Sequence, residues 1–466
     1  MSEATTRSTR KGPSGTLSAL AVGALVLAGT ARAQQPLSLD EAVRVALDHN
    51  PALRASAEEA EAARSRLDQA KAARYPRLDL SQGFTRGNNP VYAFSSLLLQ
   101  QRFTAAHFAL PGLNAPAPID NLQTRLEGRM LLFDSRRTAL RVSGAEALLS
   151  AARLETEQER QDLILRVVRT YYAVVVSREH LAAATETLRS AEANERRIRT
   201  MVEAGEVVPS DLLSAQVQRA QMRERVIRAQ NALDLARLAL GHEMGLGTDA
   251  LREPTGALAE PAGSPLSVDD WERTALEERP ALLAAERHRR AAEAGRRRSR
   301  AEFGPTVDVF ADIERDAEGP GGPSGTHWTA GARLNLNLFA GGANRHHAAE
   351  TRARERQASD RLESLRSSVR LETRQAYLET IAARHRAEAA RDAVEQARES
   401  LRIVQNRYET SLTTITELLR AQAARLEAQT TYLSALHDAQ VARAQLERAA
   451  GRLTHASELI RGGARP

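Results

Sequence analysis

Compared with itself, the chain repeats. Residues 37 to 80 match 266 to 309 without a gap at an offset of 229, and residues 122 to 245 match 328 to 451 at an offset of 206. Leu37-Ser38-Leu39-Asp40 pairs with Leu266-Ser267-Val268-Asp269, and Pro51-Ala52-Leu53 with Pro280-Ala281-Leu282. Further on, Phe133 meets Phe339, Tyr171 meets Tyr377, Leu212-Leu213 meets Leu418-Leu419 and Gly245 meets Gly451. The 23-residue difference between the offsets is an insertion in the first copy, between about residues 87 and 121. Two copies with so long a period exclude a solenoid, whose units are far shorter. Whatever the first half builds, the second must build again.

Each copy reads as helix, strand, strand, long helix, helix. Residues 39 to 73 and 268 to 302 are rich in Ala, Glu and Arg. Pro51 and Pro280 mark an early break in these stretches, and Pro76 and Pro305 stop them. The period then changes from 3.6 to 2. Trp328, Ala330, Ala332, Leu334, Leu336 and Leu338 alternate with Thr329, Gly331, Arg333, Asn335 and Asn337, and Leu122, Leu126, Met130 and Leu132 alternate with Gln123, Arg125, Glu127 and Arg129. The preceding strands set Val307, Val309, Ala311 and Ile313 against Asp308, Asp312 and Glu314, and Leu78, Leu80 and Phe84 against Asp79, Ser81 and Thr85. Strands are expected at about 77–86, 122–133, 306–315 and 326–339. One apolar and one charged face over about ten residues fits the dyad pattern of an outer-membrane barrel strand.

The aromatics agree. The chain has 466 residues but only 17 Phe, Tyr and Trp, and 11 of these fall between residues 75 and 133 or 303 and 339. Those windows hold the strands and two loops, 87 to 121 and the Gly/Pro run 316 to 325, at the end of each hairpin far from the helices. Aromatic residues there suit membrane-interface anchors, and loops at that end suit the extracellular side. After the strands, residues 136–204 and 343–410 are free of proline and contain glycine only at Gly144. Such helices are about 100 Å long. Apolar residues recur at seven-residue steps, as in Leu412, Leu419, Leu426 and Leu433 and in Leu213, Ala220 and Ile227, which predicts coiled-coil packing.

Four strands cannot close a sheet in lipid, because an open edge leaves backbone groups unpaired. Barrels of this kind have at least eight strands, so several copies must contribute: a dimer gives eight strands and a filled interior, a trimer twelve and room for a channel. Inward positions Asp79, Arg125, Glu127, Arg129, Asp308, Asp312 and Arg333 favour a water-filled lumen, hence a trimer. Leu78, Leu80, Val307, Val309, Trp328, Leu334 and Leu336 are expected to face lipid.

With the Pro-Ala-Leu near each repeat start, the strand ends Leu131-Leu132-Phe133-Asp134 and Leu338-Phe339-Ala340-Gly341-Gly342, and Gly205 followed by Asp211-Leu212-Leu213-Ser214-Ala215-Gln216, the chain resembles the TolC-like outer-membrane efflux factors over about residues 36 to 452. The resemblance implies a fold that is mainly α with transmembrane β: a duplicated helix-strand-strand-helix-helix unit, four strands per protomer, a trimeric 12-strand β-barrel continued by a long α-helical coiled-coil tunnel. It implies a homotrimeric exit duct of a tripartite efflux pump or type I secretion system, docked on a periplasmic adaptor (membrane fusion) protein and an inner-membrane pump, in outer-membrane lipid. It also implies a periplasmic tip and gate at Gly205, Asp211, Tyr408, Ser411, Thr413, Glu417 and Arg420. Asp211 and Glu417 match acidic constriction positions of the family, and Tyr408 matches an aromatic that ties neighbouring helices. Ser411 replaces a usual glycine, Thr413 a basic gate residue of some members, and Arg420 a second acid of some. Asp211 also reads as an N-terminal helix cap after Pro209-Ser210.

Residues 7 to 11 are basic, Leu17 to Ala28 apolar, and Ala31-Arg32-Ala33 offers a cleavage site. The expected organisation is a signal peptide over 1–33, a first repeat over 34–245, a linker over 246–265, a second repeat over 266–452 and a tail over 453–466. With no cysteine there is no lipoprotein anchor, disulfide or thiolate metal site. The net charge is +6, of which +3 lies in the first 33 residues, and the arginines alternate with acids along helices, so nucleic acid is not a partner. No enzyme motif survives inspection. His242-Glu243 lacks the second histidine of a zinc protease, Gly12 to Gly15 falls in the leader, and His346-His347 point to different helix faces. No cofactor, catalytic residue or metal site is expected. The competing reading is a periplasmic coiled-coil scaffold or adaptor without a pore, which leaves the four strands unexplained.

Overall fold

The computed structural model describes residues 37–247, 253–260, 266–410 and 412–462. The expected leader and Ser411 lie outside the described residues. Each repeat opens on a helix broken by proline. In the first copy α1 (Leu39–His49) is capped by the Ser38 hydroxyl, which accepts from Glu41 N–H at 3.1 Å, and Asn50 caps α2 (Pro51–Ala72) by accepting from the N–H of Ala52 and Leu53. The sheet then begins with β1 (Arg77–Gly87).

The segment expected as a loop over 87–121 is largely helical. It holds α3 (Pro90–Leu99), a 3₁₀ turn (Ala105–Phe108) and α4 (Leu110–Asn114). Asn89 caps α3, and Phe94, Phe103 and Phe108 meet edge to face at 4.8 and 5.1 Å. Three aromatics so packed give the insertion a small core of its own.

The first copy continues through β2 (Ile119–Phe133), α5 (Arg137–Glu203) and α6 (Pro209–Glu243). The second copy runs α7 (Val268–Glu278), α8 (Pro280–Ala301), β3 (Thr306–Ala317), β4 (Ser324–Asn335), α9 (Ala343–Glu409) and α10 (Ile415–Ala449), and α11 (Glu458–Gly462) follows. Helices α5 and α9 have 67 residues each, and α6 and α10 have 35 each. The duplication is thus kept to the residue in the part that sets length.

Two junctions show how the copies turn their corners. From strand to long helix the chain passes through two left-handed residues, Gly341 and Gly342 in the second copy but Ser135 and Arg136 in the first. Left-handed backbone is strained for residues with a Cβ. Local bonds hold it: the Ser135 hydroxyl donates to Pro305 C=O at 2.7 Å, and Arg137 donates to the carbonyls of Ala301, Glu302 and Gly304. After α6 and α10, Gly245 and Gly451 are also left-handed. A Cβ there would fall 2.6 Å from His49 O and 2.7 Å from Arg279 Cα, so each glycine seats the end of the last helix on the corner between the first two.

The main core lies midway along the helices, where α1, α5, α6 and α11 bury Leu39, Val43, Leu163, Val167, Tyr171, Leu240, Leu453 and Ile460. The Tyr171 hydroxyl is satisfied on both sides, donating to Leu37 C=O at 3.0 Å and accepting from Gly256 N–H at 2.9 Å. Part of the expected linker, residues 253–260, is a strap. Arg178 grips Pro254 C=O, Gln440 grips Ala259 C=O, and Glu260 pairs with Arg391 at 3.1 Å, joining the two copies.

Toward the tip the helices lie in the order α6, α5, α10, α9, and toward the sheet in the order α2, α5, α8, α9. A wall ordered this way has α6 at an edge. The row Leu213, Ala220 and Ile227, expected to pack as a coiled-coil seam, is therefore exposed in the single chain, whereas Leu426 of the equivalent row is buried on α10.

The strands form one antiparallel sheet in the order β1-β2-β3-β4, leaving β1 and β4 as its edges. Expectation and structure differ at the end of β4. The ladder stops at Thr306–Asn335, because the residue before Thr306 is Pro305, which has no N–H to donate. Leu336, expected as a lipid-facing strand residue, lies just beyond the strand.

Candidate functional site

The sheet sorts its side chains by charge. Register pairs Arg77 with Arg129, Asp79 with Glu127, Glu127 with Asp312, and Asp308 with Arg333, so all seven expected lumen residues share one face. Leu78, Leu80, Val307, Val309, Trp328 and Leu334 share the other. Arg129 donates to Glu127 at 2.7 Å, Arg125 to Asp312 at 3.3 Å, and Asn335 to Asp308 at 3.2 Å, so the charged face is laced by its own ion pairs and hydrogen bonds.

The apolar face is open to solvent, and the middle of the charged face is covered. Leu80 is 74% exposed and Trp328 75%, whereas Asp312 on the charged face is 6% exposed. A contiguous apolar face of this kind needs something other than water against it.

Sequence reasoning missed several residues of the charged face. Phe310 is in phase with Asp308 and Asp312 and lies under the Arg333 guanidinium at 5.3 Å. Farther along, Glu314, Asp316 and His327 continue the same face. The period-2 pattern already set Glu314 against the apolar residues, and extending that polar parity one step further would have found Asp316. His327 required the β3–β4 register.

The opposite end of the molecule gathers the expected tip residues. After α5 the backbone closes through Gly205, whose N–H donates to Val202 C=O, and Pro209 starts α6 with Asp211 in its first turn. The Val208 cap makes no side-chain bond, and Asp211 N–H donates to Val208 C=O. After α9, Thr414 caps α10 by accepting from Glu417 N–H at 3.4 Å, and Thr413 is half-buried in the turn before it. Tyr408 is buried among Ile198 and Ala215 of the first hairpin and Leu401, Ile415 and Leu418 of the second, so the two hairpins pack on one another around it. Burial, and then the nearby Asp211 carboxylate, push the Tyr408 phenol above its ordinary value. Arg197 of α5 pairs with Glu409 of α9 at 3.2 Å, and the buried Glu195 accepts from both Arg199 and Arg219, at 2.6 and 2.8 Å. Glu417 and Arg420 stand out from this packing and pair with each other at 3.1 Å.

The arrangement at both ends is one of ion pairs and packed apolar side chains. What it offers is a wall with a charged face at one end and a packed, charged turn at the other. No helix among the described residues is long and apolar enough to cross a membrane.

The family model described as "Outer membrane efflux protein" matches residues 42–246 and 271–452. Among curated proteins, Protein CyaE of Bordetella pertussis is 30% identical over 398 residues, which cover 83% of this chain and 78% of that protein. Among solved structures, the outer membrane protein VceC of Vibrio cholerae superposes with a TM-score of 0.74 at 20% identity, covering 89% of this chain and 96% of that one. The CmeC outer membrane channel of Campylobacter jejuni superposes with a TM-score of 0.76 at 16% identity, covering 91% and 88%.

Proposed function

Since the chain belongs to the outer membrane efflux protein family, we propose that three copies close their four-stranded sheets into a 12-strand barrel and line up their helices as one periplasmic tunnel. The chain is an outer-membrane protein that extends into the periplasm, and its family is one of efflux channels. The proposed duct carries substrate from an inner-membrane transporter, through a periplasmic adaptor docked at the tip, to the cell exterior. It does so as part of a tripartite efflux pump or a type I secretion system. The reading assigns the protein passage without covalent chemistry.

One observation carries this reading: the sheet has an open apolar face, a charged face on the other side, and two unpaired edges, β1 and β4. In lipid those edges must be paired, and a closed ring of copies pairs them without remainder. Twelve strands instead of eight are supported by the charged side chains on the inner face, which need a wet lumen. The exposed apolar rows on the wall's two edge helices, Leu213 and Ile227 on α6 and Leu371 and Leu378 on α9, suit contacts between neighbouring copies.

Outer-membrane fractions extracted with detergent should yield a trimer whose migration shifts on heating, and the purified trimer should form ion-conducting pores in planar bilayers. Recovery as a soluble periplasmic monomer would overturn the channel and favour the scaffold reading. A deletion strain separates the two assemblies. Sensitivity to small toxic compounds supports a pump, and retention of an exported protein supports secretion.

A further inference from the structure

Near the outer end of the sheet, β3 and β4 bring together two carboxylates and an imidazole. Glu314 and Asp316 are two residues apart on the charged face of β3, and His327 of β4 is the direct cross-strand partner of Glu314. His327 Nε2 lies 3.2 Å from Asp316 Oδ2 and 3.8 Å from Glu314 Oε2, and one ligand atom from each of the three falls within 4.8 Å of the others.

Asp316 is the telling member. It is fully buried, its Oδ1 accepts from Asn121 Nδ2 at 2.5 Å, and its Oδ2 has no hydrogen-bond donor although it is aimed at the His327 ring nitrogen. A buried carboxylate oxygen left without a donor is costly. Glu314 is half-satisfied in the same way, with Oε1 accepting from Gln123 Nε2 and Oε2 turned toward His327. The facing cation does not answer this charge, since Arg125, opposite Glu314 in the register, directs its guanidinium to Asp312. Two carboxylates and an imidazole thus surround a point that no positive side chain occupies.

We propose that Glu314, Asp316 and His327 bind a first-row divalent transition ion such as Zn²⁺, Mn²⁺ or Co²⁺. Ligand bonds of about 2.0–2.2 Å hold neighbouring ligand atoms of such an ion roughly 3.3 Å apart, and the two imidazole–carboxylate distances bracket that spacing. One nitrogen and two oxygen ligands are a donor set for borderline ions, and three protein ligands leave coordination positions for water. His327 is partly exposed, which gives the ion an entry path from the charged side of the sheet.

The outer shell of the site belongs to the insertion. Asn121, which orients Asp316, accepts from Gln100 Nε2 at 2.9 Å, and the same amide donates to Asp120 C=O at 2.7 Å. The backbone at Leu99 lies so close to Gly325, two residues before His327 on the same face, that a Cβ there would fall 2.1 Å from Leu99 O. The ion would therefore hold α3 down against the charged face, which on the channel reading is the outer mouth of the lumen. Binding itself does not depend on that reading.

The test uses the full-length protein in detergent, purified through a histidine-free tag, treated with chelator and titrated with Co²⁺ by its visible absorption and with Zn²⁺ by calorimetry. The expected result is one ion per chain, with affinity reduced about tenfold or more by His327→Gln and by Asp316→Asn. A His346→Gln/His347→Gln variant should bind as the parent does. Because Asp316→Asn could disturb the sheet, heat-shifted oligomer migration is checked for each variant, and His327→Gln is the deciding substitution. A parent protein without saturable binding, including one whose His327 merely titrates with pH, overturns the site, as does undiminished affinity in His327→Gln. Because no pore is measured, failure of this site and failure of the channel reading remain distinguishable.

Discussion

The ion pair between Arg420 Nη1 and Glu417 Oε1, 3.1 Å long, stands at the tip with both side chains more than half exposed. An exposed pair three residues apart on a helix contributes about 0–1 kcal/mol, so its consequence is electrostatic and not structural. On the channel reading, three copies place three such pairs around the aperture, and each glutamate is answered by an arginine one turn on. Glu417→Gln should leave three uncompensated arginines and move bilayer selectivity several-fold toward anions, while Arg420→Gln should move it toward cations, with thermal stability unchanged in both. Reversal potentials in a salt gradient check this. Unmoved reversal potentials in both variants would remove the pair from the conduction path. That Glu417 stands in the first turn of α10 was legible from its place in the repeat. Its compensation was not, because pairing depends on which rotamers two exposed side chains adopt.

The helices repeat this division between what pattern fixes and what neighbours fix. The bounds of α5 and α9 were readable within a residue or two of 136–204 and 343–410, since glycine marks the end of α5 and the start of α9 and the repeat carries each bound over to the other copy. Strand faces were readable from period 2 because a pleated chain permits only two. Lateral order was not, and so the fate of two equivalent heptad rows was not: Leu426 of α10 is buried between neighbours, whereas Leu213 and Ile227 of α6 are each 63% exposed at the edge of the wall. The helical content of the 87–121 insertion escaped for a different reason, its helices being too short to show a period. The Glu314–Asp316–His327 cluster escaped because it exists only once two strands are in register. The α6 row yields a prediction at this scale. Leu213→Glu combined with Ile227→Glu should abolish the trimer in detergent while leaving the circular-dichroism helix signal intact, since neither residue is packed within its own chain. A trimer that survives both changes would place the contact between copies elsewhere.

For the whole molecule the decisive feature is the pair of open edges. The chain has no cysteine, which leaves the background clean for cross-linking. Ser81 and Thr329 sit midway along β1 and β4 on the charged face. Adjacent strands run about 4.8 Å apart, so a bis-maleimide spanning about 10 Å bridges the seam despite a small shift of register. A Ser81→Cys/Thr329→Cys protein should give covalent dimers and trimers and nothing larger. A ladder past three copies would mean an open assembly, and a stop at two would mean eight strands.

The matched helix lengths carry a constraint on how such a protein can change size. With α5 equal to α9 and α6 equal to α10, both hairpins of one chain end at the same depth. Adding one heptad to a single hairpin would lower half the rim by about 10 Å and leave it stepped. Lengthening that keeps the rim level requires four insertions at once, two in each copy. The distance that this chain spans is therefore a quantity that single insertions spoil, and descendants of the duplication are free to vary in sequence far more readily than in reach.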